Sequence, residues 1–244
     1  MSDNAQAEAG TAEGQGPVKI DEELARHLEN KREDLFEKFD IRDEFPPEVI
    51  QEAEERTEDV QQEIQDELDE REDLRDLTTW TTDPIDAQDF DDALSIRENE
   101  DSYTLWVHIA DVTHYVHPES RMWEEAVQRS NTVYLPAYTM HMLPPTLAET
   151  VCSLVPNEDR LAHTVEMELD KENLGYEEID IYKSVIESDE RRTYSQAEQR
   201  LDGPDADLHA ENQLVFELAD QLHEQRKEDG SLVLNPRRDR AHTI

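Results

Sequence analysis

Asp83, Asp89, Asp91 and Asp92 fall within ten residues, in the stretch Thr82-Asp83-Pro84-Ile85-Asp86-Ala87-Gln88-Asp89-Phe90-Asp91-Asp92-Ala93-Leu94. Pro84 and the lack of a 3.6-residue apolar stripe disfavour a helix here. A loop that folds back on itself would instead bring the carboxylates together. Carboxylates gathered in low dielectric repel one another unless a cation lies between them. Short aspartate side chains offer the hard oxygen ligands that suit Mg2+, which keeps some waters and shares its other positions with substrate phosphates. The chemistry such a site supports is attack on a phosphodiester, with the cation activating water and stabilising the leaving oxygen. On charge alone Asp86 is as good a ligand as its neighbours. The chain holds 63 Asp and Glu among 244 residues, so this spacing of acids also arises by chance, and a solvated acidic loop is the plain alternative.

The elements that must hold the loop follow from the patterning around it. Leu94 to Glu98 and Tyr103 to Val116 read as two strands of a hairpin, with a polar turn between them. Residues 162–169 and 177–187 read as further strands separated by a turn at Asp170 to Gly175. Helices are expected over 21–39, 48–72, 120–130, 194–201 and 205–227, the last with Leu214, Val215, Leu218 and Leu222 inward and Gly230 ending it. Strands followed by helices indicate an α+β domain. Three segments follow: a disordered tail over 1–20, an acidic helical region over 21–72, and a catalytic-type domain over 73–244.

His108, Asp111 and His114 lie close enough in sequence to suggest a metal trio. Strand alternation would put both histidines on one face and Asp111 on the other, which favours structural polar groups in the sheet. Cys152 is the only cysteine, which excludes an intrachain disulfide and a cysteine-based zinc site; it reads as a buried packing thiol.

The formal net charge is −40, with only 23 Lys and Arg. Disorder would explain such a composition, but the patterning from Leu74 onward contradicts it. A folded protein adapted to a very salty cytoplasm fits better, since at 1 M salt the Debye length of about 3 Å screens the self-repulsion. Composition alone argues against RNA, whose binders carry basic patches. No apolar run reaches the roughly 18 residues of a membrane span and no signal peptide is evident, so a cytoplasmic location is expected.

The order of motifs is more specific than composition. The aspartate stretch is followed by Trp106-Val107-His108-Ile109-Ala110-Asp111-Val112-Thr113-His114-Tyr115-Val116, then Val133-Tyr134-Leu135-Pro136, Met142-Leu143-Pro144 and Cys152-Ser153-Leu154. Asp73-Leu74-Arg75-Asp76-Leu77 precedes it, and Ser184-Val185-Ile186, Ser188 and Thr193-Tyr194 continue it. From about residue 43 to the end, this series resembles the catalytic domain of the ribonuclease II/ribonuclease R family, the RNB domain. The resemblance implies a hydrolytic, Mg2+-dependent 3′→5′ exoribonuclease that acts on single-stranded RNA and releases 5′-nucleoside monophosphates. It implies that Asp83, Asp89, Asp91 and Asp92 are the catalytic, metal-binding aspartates, with Asp91 the most sensitive. It further implies that Tyr134 stacks near the RNA 3′ end, where base stacking contributes about 1–3 kcal/mol; the alternative is a strand-end core tyrosine. Tyr194 matches a tyrosine that in some relatives sets where digestion stops.

The family's small RNA-binding barrels find no matching pattern ahead of residue 73, and Leu234 stands near a position where a relative stacks a phenylalanine. The family's later glutamate and arginine at the scissile phosphate are expected beyond Ile244. Two other readings therefore stay open: a catalytically incomplete RNB-domain fragment that binds metal or RNA weakly, and an unrelated Mg2+-dependent phosphoesterase. No protein partner is indicated.

Overall fold

The structure, a computed structural model, describes residues 44–58, 60–135, 138–199 and 209–232, with residues 31, 36, 38 and 42 as isolated positions. The expected tail over 1–20, most of the expected helix over 21–39, and Leu234 lie outside the described residues. The chain divides into two compact units: residues 1–44 with Val133–Met140, and Phe45–Thr132 with His141–Ile244.

In the larger unit, Pro46-Pro47 starts α1 (Pro47–Arg56), where Pro47 stands in the first turn and needs no N–H partner. Its buried positions, Val49 and Ala53, are four apart on one face. Thr57 then folds its hydroxyl onto the Glu54 carbonyl at 2.7 Å, and its N–H donates to the same oxygen. The single helix expected over 48–72 is therefore broken. It becomes α1, α2 (Val60–Glu67), a 3-10 turn at Leu68–Glu70 and the short β1 (Glu72–Asp73). The backbone of Arg71 is already extended, with φ −129° and ψ 153°, and this turns its side chain into the core.

The main sheet follows: β2 (Trp80–Asp83), β3 (Asp92–Glu98) and β4 (Ser102–Ala110). Next come α3 (Val112–Tyr115), α4 (Arg121–Arg129) and, in the smaller unit, the paired β5 (Val133–Leu135) and β6 (Tyr138–Met140). A π-helical turn at Leu147–Val151 leads to β7 (Asp159–Asp170), β8 (Tyr176–Glu187) and β9 (Glu190–Thr193). Finally α5 (Tyr194–Gln199) and α6 (His209–Glu228) close the described chain. The sheet order is β1-β8-β7-β4-β3-β2-β9, antiparallel except where β1 meets β8 and β2 meets β9. This is the mixed, mostly antiparallel α+β architecture expected from the pattern.

One strand is shorter than expected. β4 stops at Ala110 rather than continuing to Val116, because the Asp111 carboxylate accepts the His114 N–H at 3.1 Å and caps α3. Asp111 and His114 are thus not strand residues, and strand alternation does not apply to them.

Helix α6 lays Leu214, Val215, Leu218 and Leu222 over Trp80, Leu94, Ile96, Tyr103 and Leu105. It ends where Gly230, at φ +87°, takes the left-handed cap, with its N–H on the Lys227 carbonyl and that of Ser231 on Arg226. The second core gathers α1, α2, α4 and the π-helical turn around Ala93, Ala110, Leu161, Ala162, Val185 and Ile186.

A polar chain crosses the buried sheet. Thr79 Oγ1 meets Ser95 Oγ at 2.7 Å, and Ser95 Oγ meets His108 Nε2 at 3.0 Å. His108 Nδ1 meets Thr164 Oγ1 at 2.8 Å, and Thr164 Oγ1 meets Ser184 Oγ at 2.6 Å. A neutral imidazole, with one nitrogen donating and the other accepting, completes this chain. Burial pushes the His108 ring down to about 4. A depressed histidine stabilises the fold fully above its unfolded pKa of about 6.5, and that stabilisation is lost as pH falls from there toward 4. Denaturant melts between pH 7 and pH 4 are expected to show a loss on the order of 3 kcal/mol that His108→Gln largely flattens. Equal pH slopes in the two proteins would contradict this.

Candidate active site

The aspartate stretch is the connection between two neighbouring strands. Asp83 ends β2 and Asp92 begins β3, so the intervening residues must reverse direction across adjacent sheet positions. The leading limb turns at Pro84 to Ala87, where the Ala87 N–H donates to the Pro84 carbonyl at 3.1 Å. The trailing limb is stitched to the body: Ala110 N–H donates to Asp91 O, and Leu154 N–H to Phe90 O, both at 2.9 Å.

Ser153 is the fastener. Fully buried, it accepts the Phe90 N–H at 3.0 Å and lies 3.4 Å from the Gln88 carbonyl, to which its hydroxyl donates. Its own carbonyl takes the Arg160 Nε–H at 2.8 Å, so a buried guanidinium fixes the fastener in turn. Ser153→Ala leaves the Phe90 N–H without its partner, a loss of about 1–3 kcal/mol. Hydrogen exchange at Phe90 and Asp91 is expected to rise in that variant while the α6 amides keep theirs. Unchanged exchange would remove Ser153 from the argument.

All four candidate aspartates lie on this loop, but in different settings. Asp83 is buried, Asp89 is half-buried, and Asp91 and Asp92 are exposed. Burial foremost, with the charges of Asp92 and Asp89, pushes the Asp83 carboxyl above the ordinary carboxylate range, against the opposing pull of the Thr81 hydroxyl and then of the Arg191 charge. The low-dielectric surroundings and the charges of Asp89, Asp92 and Asp83 push Asp91 the same way. Asp83 Oδ2 is buried and has no hydrogen-bond partner. Such an oxygen, beside mutually repelling acids, is an acceptor that a hard cation satisfies. Among the described residues, no three His, Cys, Asp or Glu side chains stand close enough to hold a metal ion as placed. Asp86 is exposed on the leading limb, and its carboxylate has no part in shifting Asp83 or Asp91.

Tyr194 opens α5 immediately after Thr193, whose Cα partner in the parallel β2–β9 pair is Asp83. The topology therefore places Tyr194 at the same end of the sheet as the aspartates, 62% exposed. Tyr134 pairs with Thr139 in the two-stranded sheet of the smaller unit and is 71% exposed. It is no core tyrosine.

The histidine and aspartate series has other work. Asp111 and Arg71 form an ion pair at 2.8 Å with both side chains fully buried. Thr113 donates to Asp111 Oδ1 at 2.8 Å, and His163 Nε2 lies 3.1 Å from the same oxygen. His114 bridges Glu63 at 3.0 Å and Arg71 at 3.4 Å. Burial opposes the Asp111 charge, but the Thr113 and Arg71 hydrogen bonds and the His163 and Arg71 charges outweigh it and hold the carboxyl below its ordinary range. Cys152 is buried in the core, and burial foremost pushes its thiol up to about 12, which leaves it an unreactive packing group.

Sequence reasoning gave no role to Arg71, Ser153, Arg160 or Arg191. Ser153 carried a signal, its place in the Cys152-Ser153-Leu154 motif; the ion pair of Arg71 spans 40 residues and had none.

Comparison with known proteins places the geometry in context. The profile of the RNB domain matches residues 71–243. Ribonuclease R of Chlamydia pneumoniae is 39% identical over 194 residues, 78% of this chain and 28% of that protein. Among solved structures, Mycoplasma genitalium RNase R in complex with ribose-methylated single-stranded RNA superposes with a TM-score of 0.79 and 28% identity, covering 87% of this chain and 33% of that one. Yeast Ssd1, described as a pseudonuclease, shares the fold at a TM-score of 0.61 and 22% identity, covering 70% of this chain and 21% of that one. The chain spans about a fifth to a third of the length of these relatives.

Proposed function

Since the chain belongs to the RNB-domain family, we propose that it is the aspartate-bearing part of a hydrolytic 3′→5′ exoribonuclease that acts on single-stranded RNA and releases 5′-nucleoside monophosphates. The observation that carries this reading is the aspartate loop. Four aspartates lie at the facing ends of two adjacent strands and in the loop that joins them, the carboxyls of Asp83 and Asp91 are raised by low-dielectric surroundings and mutual repulsion, and one buried Asp83 oxygen lacks a partner. The fold alone does not decide the matter, because a pseudonuclease shares it.

Asp83, Asp89, Asp91 and Asp92 would hold Mg2+. When bound, the ion supplies positive charge at the scissile phosphate and a lower pKa for attacking water. The chain's own residues do the rest. Ser153 and Leu154 hold the trailing limb so that Asp91 and Asp92 project from a fixed backbone. Burial at Asp83 excludes water from the inner side of the loop. Tyr194, exposed at the same end of the sheet, offers a face on which a base can stack. Tyr134, exposed in the smaller unit, offers another.

The net charge of −40 bears on how RNA would be held. Phosphate contacts contribute little in so acidic a chain, and stacking and the cation carry the binding. Among the described residues, no helix is long and apolar enough to cross a membrane. We read the excess of acid as adaptation to high salt in a cytoplasmic enzyme.

A second reading has its own support: the chain spans 28% of a curated relative's length, which favours a segment whose chemistry needs residues beyond it. The test is digestion of a 5′-labelled single-stranded RNA in molar KCl with Mg2+. Stepwise shortening from the 3′ end with 5′-monophosphate products is expected. Equal cleavage of DNA or of small phosphoesters would defeat the ribonuclease reading, and a folded but inert chain would favour the segment reading.

A further inference from the structure

One side chain touches both limbs of the aspartate loop. Arg191 lies on β9, opposite Thr81 of β2. Its Nη2 donates to the Pro84 carbonyl at 2.6 Å and to the Ile85 carbonyl at 3.2 Å. The guanidinium carbon stands 5.3 Å from the centroid of the Phe90 ring. The leading limb is thus tied to the trailing limb through a planar cation that hydrogen-bonds one and sits over the aromatic ring of the other at cation–π distance, which an ammonium cannot do in the same way. The leading limb needs such a tie: Ile85 is 82% exposed and anchors nothing by burial. Arg191 Nε is buried without a hydrogen-bond partner. A loss of that kind marks a side chain held where it is by its other contacts.

We propose that Arg191 is a positioning residue for the carboxylate site, clasping the limb that follows Asp83 to the limb that carries Asp89, Asp91 and Asp92. The inference rests on the reading of these carboxylates as cation ligands. It separates from simple electrostatics by sign. A guanidinium near a cation site repels the cation, so removing it should tighten cation binding if charge were its whole effect. If Arg191 holds the limbs in place, removing it loosens binding, because the site must then be ordered by the ion itself.

The experiment measures Mn2+ binding by electron paramagnetic resonance, and hydrogen exchange over residues 84–92, in the full chain and its Arg191→Ala, Arg191→Lys and Asp91→Asn variants. Arg191→Ala is expected to bind Mn2+ about tenfold more weakly and to exchange faster in the loop, while the α6 amides keep their protection. Arg191→Lys keeps the charge without the fork and is expected to fall between wild type and Arg191→Ala. Tighter or unchanged Mn2+ binding in Arg191→Ala overturns the proposal. If wild type and Asp91→Asn bind Mn2+ equally poorly, the cation reading fails instead. Exchange alone then decides the clasp, and unchanged loop exchange in Arg191→Ala overturns it.

Discussion

Asp91→Asn is expected to slow 3′-end shortening of RNA by about 1,000-fold and, in the same protein without divalent cation, to raise the melting temperature by a few degrees. The first effect follows from losing a ligand that places several kcal/mol of transition-state charge stabilisation, at about 1.4 kcal/mol per tenfold. The second follows from the direction of the Asp91 shift. Its carboxyl is pushed up in the folded protein by its low-dielectric surroundings and by Asp89, Asp92 and Asp83. A carboxyl raised on folding favours the native state only where it is protonated, so stability declines as pH rises from the unfolded value of about 3.9 through the folded one. At pH 7 the charge is a liability that Asn removes, on a scale of about 2–4 °C per kcal/mol for a domain of this size. Mg2+ should reverse the order, because an ion that binds only the native wild type stabilises it by about 2.7 kcal/mol at a hundredfold excess over its Kd. Thermal melts of both proteins, with and without Mg2+, check the crossing. An unchanged digestion rate, or a less stable mutant in the absence of metal, would count against the site.

Arg71→Met is expected to be the most damaging single change away from the loop. Arg71 and Asp111 are fully buried and 2.8 Å apart, and the same guanidinium takes Glu67 at 3.0 Å. Removing one partner of a buried pair leaves an uncompensated charge, which costs about 3–5 kcal/mol. That corresponds to a fall in melting temperature on the order of 10 °C. Asp111→Leu alone should be similarly harmful, whereas the double variant should recover part of the loss, since neither charge is then stranded. The pH dependence has the opposite sign to that of Asp91. Asp111 is held low, so its contribution is present above the unfolded pKa of about 3.9 and is lost as pH falls through the folded value. Denaturant titrations of the three variants at pH 7 and pH 3 provide the comparison. Additive losses in the double variant would mean that the pair is not a unit.

Strands β3, β4, β7 and β8 and helix α6 were legible because alternation and the apolar positions of one helix face are local signals; the short β1, β2, β5, β6 and β9 carry too few residues for such a pattern. The turn between β7 and β8, and the inward set from Leu214 to Leu222, needed nothing from elsewhere in the chain. The break after α1 and the end of β4 were not legible in the apolar pattern: Thr57 on the Glu54 carbonyl and the Asp111 carboxylate on the His114 N–H make them, and the Arg71–Asp111 pair, 40 residues apart, adds to both. Arg71 must leave the helix to reach Asp111, and Asp111 must leave the strand to receive it. The aspartate loop shows the same division. Its acids and its irregular backbone can be read in the sequence. What holds it cannot: Ser153 lies 63 residues from Phe90, and Arg191 lies 107 from Pro84.

The hydroxyl–imidazole chain from Thr79 to Ser184 has a consequence for how the strands find their alignment. Alternation penalises a slip of one residue, which turns every side chain to the wrong face, but a slip of two preserves it. Such a slip would move a strand end by about 7 Å and carry Asp83 or Asp92 away from its neighbours. It would also leave the His108 ring in the core without the hydroxyls of Ser95 and Thr164. Five polar side chains, from Thr79 just ahead of β2 to Ser184 of β8, thus act as the notches of a key, so that a two-residue slip of β3, β4, β7 or β8 strands polar groups that the native alignment pairs. The precision of the carboxylate site is then set in part inside the sheet, by buried residues that take no part in the chemistry.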